Sequence, residues 1–373
     1  MDNNKLGFGL MRLPLEDVND QSKIERREFA RMVDTFLASG FSYFDTGYFY
    51  HMGNSEIIFR EEVVGRYSRE TFTIADKMPI SLINSKEQVS EIFEEQLERC
   101  GVEYFDYYFL HALGRFVYEK SVQLNIFEFV EQKKAEGKIR KTGFSFHDTP
   151  DMLERMLTQH PEMDFVQLQL NYLDWDDPTI SARRCYDIAT KHRKPVIVME
   201  PIKGGCLADI PDEAKELFDK HDSNASMASW AIRFAASHPN VSMVLSGMSN
   251  EAQMLDNLSY MSNFQPLNTD EMSTVSKVAK IMRENIVIPC TNCRYCVNQC
   301  PKNIDIPDFF AIYNNLMRSG ANQRLVALTY YGNLVETYGK ASECLGCKEC
   351  ERVCPQYIGI AKCLKDVANA LEK

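Results

Sequence analysis

The first 260 residues alternate short apolar runs with segments of helical period. The runs suit buried strands, and Ile24–Ala38 is typical of the intervening helices because Phe29 and Phe36 recur on one face. Parallel strands need crossover helices, and eight strand–helix units in about 250 residues have the size of a closed barrel. The predicted strands are Leu6–Arg12, Phe41–Asp45, Phe72–Lys77, Tyr107–His111, Lys141–Ser145, Phe165–Leu170, Val196–Glu200 and Ser242–Ser246. The sequence therefore predicts an α/β fold, a (β/α)8 TIM barrel.

An open, doubly wound sheet is the alternative arrangement of the same elements. It usually carries a glycine-rich phosphate loop between its first strand and its first helix. Here the Gly-Phe-Gly run at 7–9 continues into Leu-Met-Arg-Leu-Pro and not into a helix. The start of the chain therefore favours the barrel.

The pattern changes after residue 265. Asp270–Arg283 has the period of one more helix, and residues 286–289 are predicted to be a linker. Helical segments continue at Phe309–Arg318, Gln323–Thr329 and Cys363–Leu371. We therefore expect a barrel over residues 1–265, a helix and linker over 266–289, and a small, mostly α-helical domain over 290–373.

The charge balance limits the partners of the chain. Lys and Arg number 42 against 53 Asp and Glu, and the formal net charge of −11 argues against a nucleic-acid-binding surface. No run of about 18 apolar residues predicts a membrane span. The first 15 residues do not have the pattern of an export signal. We expect a cytoplasmic protein that binds neither nucleic acid nor membrane.

Eight of the twelve cysteines lie in two runs with the same spacing, each followed by proline. Three cysteines at i, i+3 and i+6 can each hold one iron of a cubane, and in paired runs the fourth cysteine ligates the other cluster. We therefore predict two [4Fe–4S] clusters. The predicted ligands are Cys290, Cys293, Cys296 and Cys354 for one cluster, and Cys344, Cys347, Cys350 and Cys300 for the other.

Structural zinc is the alternative for such cysteines. It usually takes four ligands from two separated Cys-x-x-Cys pairs, whereas each run here has a third cysteine and a Cys-Pro pair. The paired runs resemble the motif of bacterial two-cluster ferredoxins. The longer segment between the runs is similar to the α-helical ferredoxin domains attached to redox enzymes. The resemblance implies a ferredoxin-like domain after the barrel.

Polar residues stand at the ends of three consecutive predicted strands. They are Asp45, Lys77 and His111, and Tyr50 follows Asp45 by five residues. In a barrel, chemistry sits at the carboxyl ends of the strands. A buried lysine beside a phenol is expected to lower the pKa of the phenol, a carboxylate can orient that lysine, and a histidine can hydrogen-bond a carbonyl oxygen. The four residues therefore predict a proton-transfer site.

This constellation resembles the Asp–Tyr–Lys–His tetrad of the aldo/keto reductases, over about residues 5–260. The resemblance implies that Tyr50 protonates a substrate carbonyl while hydride arrives from a reduced nicotinamide. It implies further that Lys77 lowers the pKa of Tyr50, that Asp45 anchors Lys77, and that His111 orients the carbonyl. The fusion to a cysteine-rich domain resembles the ferredoxin-containing branch of that family.

The resemblance also implies a cofactor site for NADP or NAD, with departures from the family pattern. Ser145 matches a family serine, but Phe146 replaces the asparagine that follows it. Met199 stands where many members have a stacking tyrosine. Gln253 stands where an arginine favours NADP, so the charge-assisted contact to a 2′-phosphate is missing. The positions that the resemblance gives to cofactor binding are Ser145, Gln167, Met199, Pro201, Gly204, Gly205, Ser246, Gly247, Met248, Gln253 and Asn257.

Hydride transfer moves two electrons at once, whereas a cubane cluster moves one. Coupling the two needs a flavin or another mediator. One interpretation is an enzyme that reduces a small carbonyl compound with NAD(P)H and exchanges electrons, through the clusters, with a redox partner protein or a barrel-bound flavin. A second is a carbonyl reductase whose clusters brace the domain or sense oxygen. A third is an iron–sulfur electron-transfer module on a barrel scaffold without carbonyl reductase activity. We expect the first.

Overall fold

The computed structural model describes residues 4–176, 180–285, 287–319 and 324–372. These residues form two compact units. The first unit contains the described residues up to Pro201 together with Ala228–Thr269, and the second contains Ile202–Met227 together with those from Asp270 onward. Residues 202–227 belong to the predicted barrel segment, but their contacts group them with the second unit.

The first unit contains eight parallel strands that close into a barrel in chain order. The last strand pairs with the first through residues such as Leu245 and Gly7. The predicted barrel is thereby confirmed. The strands are β1 (Leu6–Gly9), β2 (Tyr43–Asp45), β3 (Thr73–Met78), β4 (Phe105–Leu113), β5 (Ile139–Phe146), β6 (Phe165–Gln169), β7 (Val196–Met199) and β8 (Val241–Ser246).

The inside of the barrel is filled by apolar side chains from six strands, and all of them except an alanine are large. A Cβ at Gly143 on β5 would lie 2.4 Å from the ring of Phe165, so the glycine makes room for that ring. Full burial of one such aromatic side chain stabilises the fold by roughly 1.5–3 kcal/mol. The interior cluster consists of Tyr43, Ala75, Phe109, Phe165, Ile197 and Leu245.

Helices follow the strands, and the outer core lies between the two layers. Phe8 of β1 packs against Phe29 and Phe36 of the first helix, with ring centroids 5.8 and 5.6 Å apart. The helices are α1 (Arg26–Ala38), α2 (Asn54–Phe59), α3 (Lys86–Cys100), α4 (Arg115–Gln123), α5 (Ile126–Ala135), α6 (Pro150–Gln159), α7 (Ala182–Lys191), α8 (Asp212–Asp219), α9 (Met227–Ala236), α10 (Glu251–Met261), α11 (Thr269–Asn285), α12 (Ile306–Ser319), α13 (Arg324–Val335), α14 (Glu349–Arg352) and α15 (Ile360–Leu371).

Three strands end earlier than the sequence predicts, and β6 is one of them because it ends at Gln169, one residue before the predicted end. β1 ends at Gly9 because Leu10–Arg12 form a single 3-10 turn. β7 ends at Met199 because Glu200 has a φ of 57°, a left-handed conformation that cannot continue a strand. Apolar character continues through the first of these ends, so the backbone turn leaves no signal in the composition.

The second unit has its own apolar core, in which α12 packs against α13 and α15. The rings of Phe309 and Tyr331 lie 4.6 Å apart in this core. Arg294, inside the first cysteine run, donates to Asp305 at 2.7 Å and to Asp308 at 3.1 Å, and so ties that run to the start of α12. The predicted linker residue Ile286 and the predicted helix start at Gln323 lie outside the described residues.

Candidate active site and cysteine cavities

Three polar side chains lie at the carboxyl ends of neighbouring barrel strands. Asp45 ends β2, and Lys77 and His111 lie near the ends of β3 and β4. Each stands two residues after one of the interior residues named above, and side chains two apart on a strand face the same side. Tyr50 opens the short turn Tyr50–Gly53 after β2 and is 8% exposed. The structure therefore gathers the four predicted residues at one end of the barrel interior.

Lys77 and Asp45 form a buried ion pair. The Nζ atom of Lys77 lies 2.5 Å from Oδ1 of Asp45 and 2.5 Å from the backbone oxygen of Thr46. Burial raises the pKa of Asp45 above its ordinary value, and the charge of Lys77 and the amide of Gln167 act against that rise. The lysine is thus held by a side chain and by a backbone dipole.

The phenol of Tyr50 lies beside this pair. The Nζ atom of Lys77 is 4.9 Å from the centroid of the Tyr50 ring. The net shift of the pKa of Tyr50 in this structure is upward, opposite to the lowering that the resemblance implies. Burial raises the pKa of Tyr50 well above its ordinary value, and the carboxylates of Asp45, Asp76 and Glu200 add to the rise. Tyr50 therefore holds its proton at neutral pH.

His111 packs between two aromatic rings of the same loop. Its ring stacks on Phe49 with centroids 5.0 Å apart, and meets Tyr50 edge-on at 6.0 Å. Burial lowers the pKa of His111 well below its ordinary value, with the nearby charge of Lys77 as the next cause. In the described part of the chain, Nδ1 of His111 is buried and has no hydrogen-bond partner. The site thus contains a neutral imidazole that can hydrogen-bond a ligand.

A buried pair of carboxyl groups behind Lys77 was missed by the sequence analysis. Oδ1 of Asp76 accepts a 2.8 Å hydrogen bond from the backbone N–H of Lys77, and the Cys100 thiol lies 3.5 Å from Oδ2. Asp76 and Glu56 are fully buried, and burial raises the pKa of both. The charge of Glu56 adds to the rise of the pKa of Asp76, whereas a hydrogen bond with Asp76 lowers the pKa of Glu56. The position of Asp76, directly before Lys77, was the one sequence signal for this pair.

The same group of residues holds the other side of the Lys77 backbone. The amide of Gln96 donates to the backbone oxygen of Lys77 at 3.1 Å and to Oε1 of Glu56 at 3.0 Å. Arg99 places Nε 2.7 Å from Oε2 of Glu56. The backbone N–H and C=O of Lys77 are therefore both fixed by buried side chains.

The residues expected near a nicotinamide occupy β5, β6 and β7. The hydroxyl of Ser145 accepts a 2.7 Å hydrogen bond from the backbone N–H of Ala112. Gln167 is buried close enough to Asp45 to influence its pKa. Met199 ends β7, where it pairs with Gln169. Ser145 therefore already has a protein partner, which the family resemblance did not indicate.

The residues expected near the adenosine end follow β8. Ser246 accepts a hydrogen bond from Asn257 at 2.7 Å, and Oε1 of Gln253 accepts one from the backbone N–H of Ser249 at 2.8 Å. Met248 is fully buried. A Cβ at Gly247 would lie 3.1 Å from the side chain of Arg12. Arg12 is thus a cation at this end of the barrel that the sequence analysis did not identify.

The loop after β7 contains the remaining predicted cofactor positions. Pro201 is buried, whereas Gly205 is exposed. Gly204 has a φ of 64°, and a Cβ there would lie 1.9 Å from the backbone oxygen of Thr291. Gly204 is therefore required for close approach to the first cysteine run, a role that the resemblance to the family loop does not imply.

The cysteines of the second unit surround two cavities. The first cavity is lined by Cys290, Cys293, Cys296 and Cys354. The second is lined by Cys300, Cys344, Cys347 and Cys350. Each cavity thus takes three cysteines from one run and the fourth from the other. Ile306 lines both cavities and so lies between them.

The two runs have the same backbone conformation. Two and four residues after the first cysteine, the backbone is left-handed in both runs, at Asn292 and Arg294 and at Gly346 and Lys348, with φ between 52° and 68°. Three residues after the last cysteine it is left-handed again in both runs. Successive N–H groups in such conformations form concave anion sites. The donor set and the backbone therefore fit a sulfide-rich cluster at each cavity.

The spacing of the sulfurs separates this arrangement from a zinc site. A tetrahedral zinc with Zn–S bonds of about 2.3 Å needs sulfurs about 3.8 Å apart. Across the described residues, Glu56, Asp76 and Cys100 form the one group of three cysteine, histidine or carboxylate side chains whose ligand atoms lie within 4.8 Å of one another. Among the described residues, no three of the sulfurs that line the two cavities therefore lie within 4.8 Å of one another, as a single tetrahedral zinc would require.

Residues 5–280 match the model of the aldo/keto reductase family, a span of about three-quarters of the chain. The chain belongs to the aldo/keto reductase family. Residues 289–359 of this aldo/keto reductase match the model of a 4Fe-4S dicluster domain. Both resemblances inferred from the sequence are thereby confirmed at the level of the family.

Two curated relatives of this aldo/keto reductase are from Escherichia coli strain K12. The NADH-specific methylglyoxal reductase is 27% identical over 162 residues, which cover 38% of this chain and 48% of the relative. Methylglyoxal reductase YeaE is 30% identical over 115 residues, which cover 31% of this chain and 38% of the relative. The chain thus spans less than half the length of the curated relatives that it matches.

Solved structures of the family share the barrel. An aldo-keto reductase from Bacillus halodurans superposes with a TM-score of 0.57 at 21% identity, over 74% of this chain and 91% of that one. An aldo-keto reductase from Klebsiella pneumoniae, solved in complex with NADPH, gives 0.58 at 18% identity, over 74% and 90%. At this level of identity the likeness establishes the fold.

Every helix in the described part of the chain is too short or too polar to cross a membrane.

Proposed function

We propose that this aldo/keto reductase reduces a small aldehyde or ketone with NAD(P)H at Tyr50, Lys77, His111 and Asp45, and that two [4Fe–4S] clusters couple the reaction to one-electron transfer. The buried Lys77–Asp45 pair under Tyr50 and His111 carries the first half of the proposal. Of the residues present, these four combine a proton donor, a cation and a neutral imidazole at one strand end.

The proton chemistry follows from the charges of the site. Tyr50 has a raised pKa and stays protonated, so it can donate to a carbonyl oxygen that develops negative charge. The ammonium of Lys77, anchored by Asp45, stabilises the phenolate that remains. A reduced nicotinamide, when bound, supplies the hydride to the carbonyl carbon, and the product is the alcohol. General acid assistance of this kind contributes roughly 10²–10⁴-fold to the rate.

His111 has a separate role in this proposal. Its imidazole is neutral because burial lowers its pKa, so one ring nitrogen can donate to the carbonyl oxygen. The stack on Phe49 fixes the plane of the ring. His111 therefore orients the substrate while Tyr50 provides the proton.

The substrate class is a small carbonyl compound. Both curated relatives bear the name of methylglyoxal reductases, so methylglyoxal is a reasonable probe for this chain. The proposal includes both nicotinamide forms because the cation that favours NADP is replaced by Gln253, whereas Arg12 lies at the same end of the barrel.

The second half of the proposal concerns the clusters. Cys290, Cys293, Cys296 and Cys354 would hold one, and Cys344, Cys347, Cys350 and Cys300 the other, as the two cavities and the repeated backbone support. Such clusters, when bound, supply one-electron transfer, and thiolate ligands persist in a reducing compartment such as the cytoplasm. A flavin or a redox partner protein would mediate between one-electron and two-electron steps.

The surface at the second cavity supports a redox partner protein. Leu345, which lines this cavity, is 65% exposed, and Cys347 is exposed as well. Lys302 and Lys348 line the same cavity and are exposed. An electron could therefore leave at this side toward a partner with an acidic surface.

Anaerobically purified protein tests both halves. We expect brown, iron-rich protein that oxidises NADH or NADPH in the presence of methylglyoxal, and cluster EPR signals when NAD(P)H and a flavin-linked mediator are added. The variant Cys347→Ser separates coupling from bracing, because a reductase with structural clusters would keep its full turnover. Its folding is checked by thermal unfolding.

A second candidate is an iron–sulfur electron-transfer protein without carbonyl reductase activity. Two predicted cofactor positions favour it because they make contacts within the protein. Gly204 packs against Thr291, and Gln253 accepts a hydrogen bond from Ser249. This candidate predicts clusters that take up electrons, with neither turnover nor nicotinamide binding. Micromolar binding of NADH or NADPH in a fluorescence titration would exclude it.

A further inference from the structure

The segment Ile202–Cys206 follows β7 and belongs to the second unit. Lys203, Gly204 and Gly205 have φ values of 49°, 64° and 99°, so three consecutive residues are left-handed. A lysine adopts this conformation only at an energetic cost, and such strain is typical of functional segments. The conformation of Lys203 therefore calls for a compensating contact.

That contact lies at the first cysteine cavity. The Nζ atom of Lys203 donates to Oε1 of Gln356 at 3.1 Å, and Lys203 is 2% exposed. Gln356 lines the cavity and stands two residues after Cys354. The segment also meets the first run, since Sγ of Cys206 lies 3.7 Å from the backbone oxygen of Cys290. A buried ammonium is thus one hydrogen bond away from the cavity wall.

The repeat between the two runs gives an internal comparison. Lys302, two residues after Cys300, is the equivalent of Gln356 and lines the second cavity itself. Lys302 is exposed, whereas Lys203 and Gln356 are buried. Arg294 and Lys348, four residues after the first cysteine of each run, line the first and the second cavity, and Arg294 is paired with Asp305 and Asp308. The two cavities differ at the repeat position of Gln356 and Lys302. The second cavity has an exposed lysine there, whereas the first has a glutamine that accepts from the buried Lys203 of a distant segment.

The electrostatic consequence differs between the two cavities. Reduction of a [4Fe–4S] cluster adds one electron and no proton, so it adds one negative charge. A buried cation stabilises that charge strongly, while an exposed cation is screened by water and salt. Net charge and solvent exposure are among the factors that determine the potential of such clusters.

We propose that Lys203 raises the reduction potential of the cluster held by Cys290, Cys293, Cys296 and Cys354, and thereby separates it from the potential of the second cluster. The inference rests on the proposed function, because it needs both clusters. Lys203 acts as a tuning residue of the cluster. Its hydrogen bond to Gln356 holds the ammonium close to the cavity wall.

The test is an EPR-monitored redox titration of the anaerobic holoprotein with dithionite. Wild type is compared with Lys203→Gln, Lys203→Met, Lys203→Arg and Lys302→Gln. We expect both neutral Lys203 variants to lower one of the two one-electron steps, by about tenfold in the reduction equilibrium or 59 mV. Lys203→Arg keeps the wild-type potentials, and Lys302→Gln produces a smaller shift that is confined to the other step.

Three results would overturn the inference. In the first, the two reduction potentials of the neutral variants equal those of wild type. In the second, both potentials shift by the same amount. In the third, both neutral variants lose iron that Lys203→Arg retains. In the last case the lysine would serve cluster assembly and not potential. Failure of the proposed function is recognised separately, because wild type itself would then lack two one-electron steps or lack iron.

Discussion

The Nζ atom of Lys77 lies 2.5 Å from Oδ1 of Asp45, and only 1% of Lys77 is exposed. Such a pair is weak evidence for net stability, since desolvation of two charges offsets their attraction. Removal of one partner, however, leaves an uncompensated buried charge. The pair therefore gives a prediction about folding that is independent of activity.

Asp45→Asn should destabilise the protein by about 3 kcal/mol, because the ammonium of Lys77 loses its countercharge. The double variant Asp45→Asn with Lys77→Met should recover most of that loss, since no charge remains buried. Thermal unfolding of wild type, Asp45→Asn, Lys77→Met and the double variant under anaerobic conditions measures the double-mutant cycle. Equal destabilisation in the single and double variants would contradict the buried-charge explanation.

Tyr50→Phe should lower kcat/KM for carbonyl reduction by about 10²–10⁴-fold, because the proton donor is removed. The matched control is Tyr48→Phe, two residues earlier, whose hydroxyl donates to Glu95 at 3.0 Å near the surface. Steady-state kinetics with methylglyoxal should place Tyr48→Phe near wild type. Similar rates for both variants would remove Tyr50 from the proposed mechanism.

Cys354→Ser should remove about half of the bound iron, because this cysteine is expected to complete the cluster of the first run. Cys363→Ser is the matched control, since Cys363 packs against the same core but lies outside both cavities. Iron assay and EPR of dithionite-reduced protein compare the two variants. Full iron content in Cys354→Ser would contradict the crosswise ligand assignment.

The buried side chain of His238 should make the folded protein less stable in acid. Its ring stacks on Trp175 at 4.2 Å, and burial lowers the pKa of His238 to about 4, with Arg183 and Lys5 as further causes. Because the unfolded chain binds a proton near pH 6.5, this stability is present above that pH and is lost as the pH falls toward 4. The shift corresponds to on the order of 3 kcal/mol at most.

His238→Phe keeps a ring beside Trp175 and removes the titration. Between pH 7 and pH 4.5, wild type should therefore lose more unfolding free energy than the variant, by up to about 3 kcal/mol. Anaerobic denaturant titrations at the two pH values measure this difference, and acid effects on other groups cancel between the proteins. An equal loss in both would show that His238 does not titrate on unfolding.

Most of the barrel could be predicted from the sequence because its strands are buried on both faces and therefore appear as short apolar runs. Two of the strand ends that were predicted too late, those of β1 and β7, have a common physical reason. Leu10–Arg12 keep an apolar composition while the backbone turns, and Glu200 adopts a left-handed φ that its residue type does not indicate. Residue composition indicates which segments are buried. Whether the backbone turns at a given residue depends on tertiary contacts that offset the energetic cost of the turn.

The candidate site also has residues that the sequence predicts and residues that it does not. Asp45, Lys77 and His111 could be picked out because each is a polar residue at the end of a short apolar run. The partnership of Glu56 with Asp76 could not, because it joins a helix to a strand 20 residues away in the chain. The direction in which the pKa of Tyr50 shifts could not be predicted either, because the shift depends on burial and on the surrounding carboxylates.

Hydrophobic period and cysteine spacing are enough to predict a barrel followed by a cysteine-rich domain, because both are local properties of the chain. The contact of Lys203 with Gln356, 153 residues away, and the fit of Gly204 against Thr291 are visible only in the folded protein. Such contacts bring together segments with no shared pattern. Their cause is the packing of the folded chain, which no short stretch of sequence contains.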